Sequence, residues 1–414
     1  MAAEPSKETV PVQMEPVQTV PVQTVPVESP PMLVVAGETS GDLHAARLLA
    51  ELSLLRPGLS FFRLGSGEMK AAGCELIADS AEISVVGIVE VLKIYRRARQ
   101  IFDALLEEVD RRGVREAILV DFPEFNMRIA RELKKRGVRV FYYISPQIWA
   151  WRQGRVKAIA RDVDLMLVLF PFEVDFYRGH GVDVVHVGHP LVDEVPRLET
   201  AWQQAPPSTD QPVVLALLPG SRSSEVRALL PPMAAAAERL ATSLAETGRS
   251  LEVRLIRAPS IRDELVDELL AGSTLGSDIP FERITKSRFE SIAGSHVALC
   301  ASGTATVEVG LLEVPMVVLY RLKWTSYWLG RLLVDLPHFC MVNLVLDDRV
   351  VPELLQKETA PERVNAEVMR LLDGSEALDK MRRGLASLRP TLGESGASGR
   401  AAEAIAARLG APAK

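Results

Sequence analysis

The sequence predicts an α/β protein of two Rossmann-like halves, each built on a parallel sheet, that face each other across a cleft. Short, continuously apolar segments alternate with amphipathic segments at helical spacing, a pattern typical of parallel strands covered by helices on both faces. A polar stretch at 199–212, rich in Gln, Pro, Ser and Asp, divides this alternation into two series. The length of 414 residues, 48% hydrophobic and 25% charged, suits two domains with sizeable cores.

The two series define the elements and the domains. In the first series, strands are predicted at 32–36, 60–64, 117–120, 138–144, 165–170 and 184–187, and helices at 42–56, 68–72, 101–112, 125–136, 151–160 and 173–180. In the second, strands are predicted at 213–218, 252–258, 297–300 and 316–320, and late helices at 364–372 and 399–409. The predicted organisation is a tail at 1–30, an N-terminal half at 31–200, a linker at 201–212, a C-terminal half at 213–372, and helices at 373–414 that pack across the halves.

The N-terminal tail is a low-complexity repeat. Pro-Val-Gln recurs at 11–13, 16–18 and 21–23, and Pro-Val-Glu follows at 26–28. Such a composition favours extended, solvated chain and cannot bury a core, so we predict a disordered, Pro-rich tail. A proline-rich ligand for a partner protein is the alternative, but a strict Pro-x-x-Pro with a basic anchor is missing from the tail.

Charge and cysteine usage narrow the class of function. A net charge of −6 argues against general nucleic-acid binding. Cys74, Cys300 and Cys340 are odd in number and widely spaced, so we predict reduced core residues rather than disulfides or metal ligands. The sequence has neither an apolar run of the roughly 18 residues that span a bilayer nor a signal-peptide layout. We expect a cytoplasmic protein without a metal or cofactor.

The most informative motif is Ala-Ser-Gly-Thr-Ala-Thr-Val-Glu at 301–308, which follows an apolar run. It predicts a strand, a tight glycine loop and a helix start, where hydroxyls of Ser302, Thr304 and Thr306 join free N–H groups that suit a phosphate. Glu308, one turn into the helix, would repel a phosphate unless it faces a ribose diol. A capped helix start is the alternative, although a capping box needs Glu three residues after Ser or Thr, not four.

Each half also opens with a strand that runs into a glycine turn. In the first half this turn is Gly-Glu-Thr-Ser-Gly-Asp at 37–42, where Ser40 or Asp42 can cap the next helix. In the second half it is Pro-Gly-Ser-Arg at 219–222, where Arg222 offers a planar guanidinium to phosphate oxygens. An arginine after a turn is usually only solvated. The hypothesis that this loop binds phosphate therefore depends on the second candidate anion loop, at 301–308, in the same half.

Several segments together resemble the lipid-A-disaccharide synthases, glycosyltransferases of the lipid A pathway in Gram-negative bacteria. The resemblance covers most of residues 32–355 in the expected order, and its most specific segments are at 149–152 and 188–190. The segments that carry it are AGETSGD at 36–42, GIVEVL at 87–92, DFPEFN at 121–126, YISPQIWAWR at 143–152, FPFE at 170–173, GHPL at 188–191, LPGSR at 218–222, ASGTATVE at 301–308, NL at 343–344 and VPELLQ at 351–356.

The resemblance implies a fold of the GT-B type, in which the C-terminal half binds UDP and the N-terminal half binds the acceptor. It implies transfer of 2,3-diacylglucosamine from UDP-2,3-diacylglucosamine to 2,3-diacylglucosamine 1-phosphate, which yields UDP and a β-1,6-linked disaccharide 1-phosphate for lipopolysaccharide. Cations and N–H dipoles would stabilise the departing UDP without a metal. The implied donor-site residues are Gly220, Ser221, Arg222, Ser302, Gly303, Thr304, Glu308 for the ribose, and Asn343.

An inverting transfer needs a base for the 6-hydroxyl of the acceptor, and Asp121 is the candidate. It ends the predicted strand 117–120 and occupies the position of the family's essential aspartate. A helix cap or turn aspartate ahead of Pro123 is the alternative. The family's usual Ala and second Asp are replaced by Phe122 and Glu124, so no role is carried over to a second acid.

The acceptor site is assigned to polar and aromatic residues of the first half. Trp151 can stack on a sugar and Arg152 can contact the 1-phosphate. Glu38 and Ser40 join them from the first glycine turn, and His189 from the end of strand 184–187. His189 and Glu38 are also alternative bases, although His189 can equally be a buried turn histidine bonded to backbone. Core packing is the alternative for at least one tryptophan of the 149–151 segment.

An apolar stretch followed by basic residues predicts contact with a membrane surface. Val89, Val91 and Leu92 lie in the apolar part, and Arg96 and Arg97 in the basic flank. This order suits interfacial binding to anionic lipid, and acylated substrates favour peripheral association with the cytoplasmic face of the inner membrane. An ordinary amphipathic helix with a solvated basic face is the alternative.

Two other classes of protein share parts of this pattern. A UDP-N-acetylglucosamine epimerase or the lipid II-forming transferase would share both halves and the UDP loops, but not the segment at 149–152 or the apolar-basic stretch. A non-enzymatic nucleotide- or lipid-binding protein would keep the loops and lose the base. The sequence leaves acyl-chain length and oligomeric state open, with a homodimer as one alternative.

Overall fold

The computed structural model describes residues 30–37, 39–65, 69, 74–79, 91–149, 153–204, 211–321, 338–374 and 376–409. Residues 1–29 of the predicted tail and the candidate residues Glu38, Val89, Trp151 and Arg152 lie outside these ranges, and so do the side chains of Val91 and Leu92. The described residues form two parallel sheets, one in each half. The predicted two-sheet α/β fold is confirmed.

The first sheet has the strand order β3-β2-β1-β4-β5-β6-β7, and all its pairings are parallel. Because β1 lies between β2 and β4, the chain reverses its direction of winding there, and ligands bind at the carboxyl ends of strands at such a point. The strands are β1 (Met32–Ala36), β2 (Phe61–Gly65), β3 (Glu75–Asp79), β4 (Glu116–Val120), β5 (Arg139–Tyr143), β6 (Leu165–Val168) and β7 (Val184–His186).

The second sheet has the order β10-β9-β8-β11-β12-β13, again with parallel pairings. Its switch point lies between β8 and β11, so the loops after these two strands meet at one edge. The strands are β8 (Val213–Leu218), β9 (Leu251–Ile256), β10 (Phe281–Ile284), β11 (Val297–Ala301), β12 (Met316–Tyr320) and β13 (Glu353–Leu355).

Helices cover both sheets, because strands this apolar need burial on each face. In the first half they are α1 (Thr39–Leu55), α2 (Val91–Arg112), α3 (Pro123–Lys135), α4 (Val156–Asp162), α5 (Pro171–Arg178), α6 (Leu191–Glu194) and α7 (Ala201–Gln204). In the second they are α8 (Ser223–Ala245), α9 (Asp263–Leu270), α10 (Arg288–Ala293), α11 (Thr304–Leu311), α12 (Met341–Leu346), α13 (Pro361–Leu372), α14 (Glu376–Leu392) and α15 (Ala397–Ala406).

The core joins the two halves. On β1, Met32 and Val34 belong to an apolar cluster that continues into the second half, whereas Leu33 and Val35 belong to the cluster on the opposite face of the first sheet. This alternation follows from the period of two along a strand.

The C-terminal helices contact both halves. Helix α14 packs on α11 and α12, and α15 packs on α1. The Arg389 guanidinium donates to the carbonyl oxygens of Val192 and Val195, each at 2.9 Å. The domain limits and the homodimer named from the sequence stay predictions.

The element limits differ from the sequence predictions where exposure breaks the apolar pattern. The edge strands β3, β10 and β13 were not predicted; Leu76 in β3, for example, is 43% exposed. Helix α14 lies in the region 373–414 for which helices were predicted. Helix α2 begins at Val91, ten residues before the predicted start at 101. Helix α1 begins at Thr39, three residues early, with consequences for Asp42 described below.

Two further expectations concern cysteines and membrane spans. All three cysteines are buried and free, as predicted for reduced core residues. Among the residues that the structure describes, no helix combines the length and apolarity needed to cross a bilayer.

Candidate active site

The candidate base Asp121 lies in a strained turn at the carboxyl end of β4. Asp121 and Phe122 both have φ of 48°, in the left-handed region that L-residues seldom adopt. Backbone bonds hold the turn: Asp121 N–H donates to the Tyr143 carbonyl at 2.9 Å, and the Asp121 carbonyl accepts from Asn126 Nδ2 and Tyr142 Oη, each at 2.7 Å. Backbone strain of this kind persists where surrounding hydrogen bonds hold the residue in place, as these three bonds do.

Phe122 connects this turn to the glycine turn after β1. A Cβ atom on Gly37 would lie 2.0 Å from Phe122 Cγ, so the ring occupies the space that a side chain at position 37 would need. The Phe122 ring also stacks on Phe125, with centroids 5.4 Å apart. The two loops at the switch point of the first sheet are therefore in direct contact, and Asp121 is part of that contact region.

Asp42 does not cap α1, which corrects one interpretation of the first glycine turn. It lies inside the helix and is fully buried, 3.8 Å from Arg63 Nη1, and its Oδ2 accepts the Met69 N–H at 3.3 Å. Ser40 is exposed in the first turn of α1 and stays a candidate for the acceptor site. The glycine turn thus leads into a helix whose first turn contributes Asp42 to a buried ion pair with Arg63.

His189 is a buried turn histidine, the alternative that the sequence left open. Its Nδ1 accepts the Leu191 N–H at 3.1 Å, and its backbone N–H donates to the Leu392 carbonyl. Burial lowers the pKa of His189 to about 3, with smaller contributions from His44 and His186. The ring is therefore placed as a structural turn histidine, and its roles as a base and as an acceptor contact stay predictions.

Trp149 is likewise a core residue. It is buried, its Nε1 donates to Glu173 Oε1 at 3.1 Å, and its ring makes an edge contact with Phe172. Glu173 also accepts the Phe170 N–H at 3.1 Å, and burial raises its pKa to about 7. Core packing is therefore confirmed for one tryptophan of the segment, and Glu173 anchors the loop that leads to residues 150–152.

In the second half, N–H groups of the loop after β8 bind a carboxylate of the protein itself, that of Glu225. Glu225 Oε2 accepts the N–H groups of Ser221 at 3.2 Å and Arg222 at 3.4 Å, and its Oε1 lies 3.1 Å from Arg222 Nη1. Gly220 has φ of 114°, and a Cβ there would lie 2.5 Å from the same carboxylate. The loop donors thus converge on carboxylate oxygens, and the Arg222 side chain, 76% exposed, is accessible for a phosphate.

The loop after β11 offers fewer hydroxyls than its sequence indicates. Thr306 is fully buried and its Oγ1 donates to the Gly303 carbonyl, while Ser302 Oγ donates to the Phe339 carbonyl, both at 2.7 Å. Thr304 is exposed at the first position of α11. The cradle therefore consists of Thr304 and the N–H groups of the helix start, and Gly303, with φ of 150°, permits the turn.

Glu308 is held by a cation that the sequence did not single out. Its side chain is 14% exposed, and its Oε1 accepts from Arg288 Nη2 at 2.9 Å. Burial raises the pKa of Glu308, Arg288 opposes that rise, and the charge of Glu194 in the first half adds to it. Glu308 is therefore a largely desolvated acceptor next to the helix start, near the first half.

The Asn343 side chain is buried and forms its hydrogen bonds inside the protein. Its Nδ2 donates to the Val351 carbonyl and to Glu353 Oε1, and its Oδ1 accepts the Val351 N–H, each at 2.9 Å. Glu353 in turn accepts the N–H groups of Phe339 and Cys340. Asn343 thus braces the turn whose carbonyl accepts from Ser302, and its direct contact with the donor stays a prediction.

Three of the residues just described were not predicted: Glu173, Glu225 and Arg288. Glu225 is the third residue of α8, the position from which a glutamate accepts the N–H of the residue before the helix, so its place at the helix start could have identified it. Arg288 has no local signal, because its partner lies twenty residues away. Glu173 has one, since it is the third residue of a helix and accepts the N–H of the residue before that helix, whereas its bond to Trp149 could not be predicted. In the part of the chain that the structure describes, no cluster of three or more His, Cys, Asp or Glu could hold a metal ion.

The structure places two glycine loops at one switch point and a strained aspartate at the other. Comparison with known proteins identifies the family. Residues 32–406 match the family model described as lipid-A-disaccharide synthetase. The chain is 46% identical over 379 residues to the lipid-A-disaccharide synthase of Myxococcus xanthus, a match that covers 91% of this chain and 97% of that protein. The chain belongs to the lipid-A-disaccharide synthase family. It is a glycosyltransferase of lipid A disaccharide synthesis.

Solved structures share the fold at low sequence identity. The calicheamicin glycosyltransferase CalG4 has a TM-score of 0.56 at 18% identity, and the match covers 93% of this chain and 100% of that one. A UDP-GlcNAc 2-epimerase from Neisseria meningitidis, solved with UDP-GlcNAc, has a TM-score of 0.57 at 11% identity and covers 91% and 99%. These similarities concern the fold alone, and they confirm the predicted GT-B type.

Proposed function

We propose that this glycosyltransferase uses UDP-2,3-diacylglucosamine as donor and 2,3-diacylglucosamine 1-phosphate as acceptor, and forms a β-1,6-linked disaccharide 1-phosphate and UDP with inversion. The proposal rests on one observation: in each half, the candidate functional residues lie at the switch point of the sheet. Two anion-binding loops follow β8 and β11, and Asp121 follows β4. Both positions are those at which α/β sheets bind ligands.

The second half would bind the leaving group. The N–H groups of Ser221 and Arg222 now bind the Glu225 carboxylate, and phosphate oxygens of the donor would take its place there, next to the exposed Arg222 guanidinium. The start of α11 at Thr304 would bind the other phosphate. As the glycosidic bond to UDP breaks, negative charge grows on the diphosphate, and these fixed donors would stabilise it without reorganisation.

The first half would activate the acceptor. Asp121 would accept the proton of the acceptor's 6-hydroxyl while that oxygen attacks the anomeric carbon from the side opposite UDP. The backbone bonds from Asn126 and Tyr142 fix the turn that aims the carboxylate, so little reorganisation precedes proton transfer. Among the proposed acceptor contacts, Ser40 is exposed close to this turn, while Glu38, Trp151 and Arg152 lie outside the described residues.

Acceptor dependence of UDP release tests the function as a whole. The proposed reaction releases UDP from the acylated donor only when the acylated acceptor is present, because the sugar is transferred to it. A UDP-N-acetylglucosamine epimerase would act on its sugar nucleotide without any acceptor, and a binding protein would release no UDP. UDP release that is indifferent to the acceptor would contradict the proposal.

Glu308 is expected to recognise the ribose diol of UDP. Glu308→Gln should weaken UDP binding about tenfold, because hydrogen bonds from two hydroxyls to a carboxylate are charge-assisted and those to an amide are not. Isothermal titration with UDP and with 2′,3′-dideoxy-UDP measures this. The dideoxy nucleotide should bind weakly to the wild-type protein, and the substitution should hardly change its affinity. An equal loss for both nucleotides would show that Glu308 acts only on the fold.

Peripheral association with the inner membrane is the second part of the proposal. Arg96 and Arg97 are exposed on the first turns of α2, which follow the apolar stretch. Each cation near an anionic surface contributes about 1 kcal/mol, so the double variant Arg96→Gln/Arg97→Gln should bind anionic vesicles at least tenfold more weakly. The matched control is Arg239→Gln/Arg370→Gln, which removes two half-exposed arginines of the second half. Equal vesicle sedimentation of the two double variants would contradict the role of α2.

A further inference from the structure

A pocket of about 230 Å³ opens between α2 and α3, beside the turn that carries Asp121. Three phenylalanines form its apolar surface. Phe125 is central: Phe122 stacks on it with centroids 5.4 Å apart, and Phe102 meets it edge-on at 5.6 Å. We call this cavity the phenylalanine pocket.

The size and chemistry of the phenylalanine pocket suit a hydrocarbon chain. An engineered apolar cavity of about 150 Å³ stays dry and binds benzene, so a larger aromatic-walled pocket can take a longer hydrocarbon segment. Every methylene removed from water contributes roughly fourfold to a binding constant. An acyl chain that enters by only a few carbons would therefore change affinity substantially.

The mouth of the pocket carries charge that suits an anionic head group. Arg99 and Arg128 line it, and both are exposed. The carboxylate at the mouth, Glu124, lies 2.8 Å from Arg155, so its charge is compensated. Arg99 Nε also lies 2.9 Å from Asp103 Oδ2, so part of its charge is compensated as well. An apolar interior below the exposed Arg128 guanidinium is complementary to an acyl chain that hangs from a phosphorylated head.

The position of the pocket indicates which acyl chain it would hold. Phe122 is a wall of the pocket and is the residue next to Asp121, and the bulk of its ring against Gly37 fixes it in place. A molecule in the pocket is thus adjacent to the group that would deprotonate the acceptor. The resemblance of the sequence to its family leads one to expect alanine at position 122; with phenylalanine, this chain has a wall where the smaller side chain would leave space.

We propose that the phenylalanine pocket binds one acyl chain of the acceptor and that its walls select the length of that chain. This inference rests on the proposed function and deepens it, because it assigns the acceptor a lipid subsite on α2 and α3. A phospholipid of the membrane is the competing occupant, and the experiment below separates it.

The test is to fill the pocket from its edge. Ala98 is a half-buried residue of α2 that lines the cavity, so Ala98→Trp would place an indole in it without removing a core side chain. The matched control is Gln100→Trp, an exposed position two residues further along the same helix that does not line the pocket. For each protein, kcat/KM is measured with an acceptor that carries long acyl chains and with one that carries butanoyl chains. The long-to-short ratio is independent of the folded fraction.

We expect the ratio to fall at least about tenfold in Ala98→Trp, because exclusion of two methylenes suffices for that change. The ratio of Gln100→Trp should stay within about twofold of the wild-type value. An unchanged ratio in Ala98→Trp would overturn the pocket assignment. An unchanged ratio together with weaker binding to phospholipid vesicles would overturn it in favour of a membrane lipid. If the wild-type protein makes disaccharide from neither acceptor, the proposed function itself fails, a result distinct from a wild-type that is active with an unaltered ratio.

Discussion

Asp121→Asn is expected to lower turnover by roughly 10²-fold or more while the affinity for UDP stays unchanged, in line with the loss of a general base. The substitution preserves the size of the side chain and removes its basicity. Asparagine tolerates the left-handed region, and the bonds that hold the turn are made by backbone atoms of Asp121, so the turn should persist. Turnover is measured as disaccharide formed per enzyme, and UDP affinity by isothermal titration.

A matched control for this substitution is Asp175→Asn, which neutralises an exposed aspartate on α5 of the same half. Its turnover should equal that of the wild-type protein. Near-normal turnover of Asp121→Asn would transfer the base role to another group. Glu38 would then be the stronger candidate of the two named from the sequence, because His189 is buried and its pKa is lowered to about 3.

Arg63→Met is expected to destabilise the first half by about 3 kcal/mol or more, because it leaves the Asp42 carboxylate buried without its cation. Both side chains are fully buried, with Arg63 Nη1 3.8 Å from Asp42 Oδ1. Methionine fills part of the same volume, so the loss is mainly electrostatic. At roughly 2–4 °C per kcal/mol for a large domain, the thermal midpoint of that half should fall by about 6–12 °C. Differential scanning calorimetry measures the change.

The double variant Arg63→Met/Asp42→Leu separates the buried charge from lost packing. When both partners of a buried pair are replaced by apolar residues, most of the cost disappears, so the midpoint should return toward the wild-type value. A double variant as unstable as Arg63→Met alone would contradict the electrostatic explanation. Asp42 also accepts the Met69 N–H, so a small residual loss is expected.

The buried strands were predictable because each is a short apolar run, whereas the edge strands were not. β8 and β11 are buried along their whole length, and the predicted limits lie within one residue of the observed ones. β3 and β10 are partly exposed, so their composition does not differ from that of a loop. The early start of α2 was missed for a different reason. Apolar residues at 91, 94, 95 and 98 continue the helical spacing of 101–112, but the stretch was interpreted as an apolar-basic membrane contact, with the amphipathic helix only as the alternative.

The site was predictable where local geometry determines the chemistry. The glycine loops after β8 and β11 and the aspartate after β4 follow from strand ends and turn residues, and the structure places them at the two switch points. Contacts with distant residues could not be predicted. Ser302 and Asn343 look like accessible polar groups in the sequence, yet Ser302 Oγ donates to the Phe339 carbonyl and Asn343 Nδ2 to Glu353. Burial of His189 likewise depends on helices far along the chain.

The most direct test of a two-substrate inverting transfer is the product itself. The purified protein is incubated with UDP-2,3-diacylglucosamine and 2,3-diacylglucosamine 1-phosphate, and the lipid product and UDP are quantified by mass spectrometry, with the linkage assigned by nuclear magnetic resonance. We predict a disaccharide 1-phosphate with a β-1,6 linkage and an equal amount of UDP. An α-linked disaccharide, a free diacylglucosamine, or UDP released without disaccharide would contradict it.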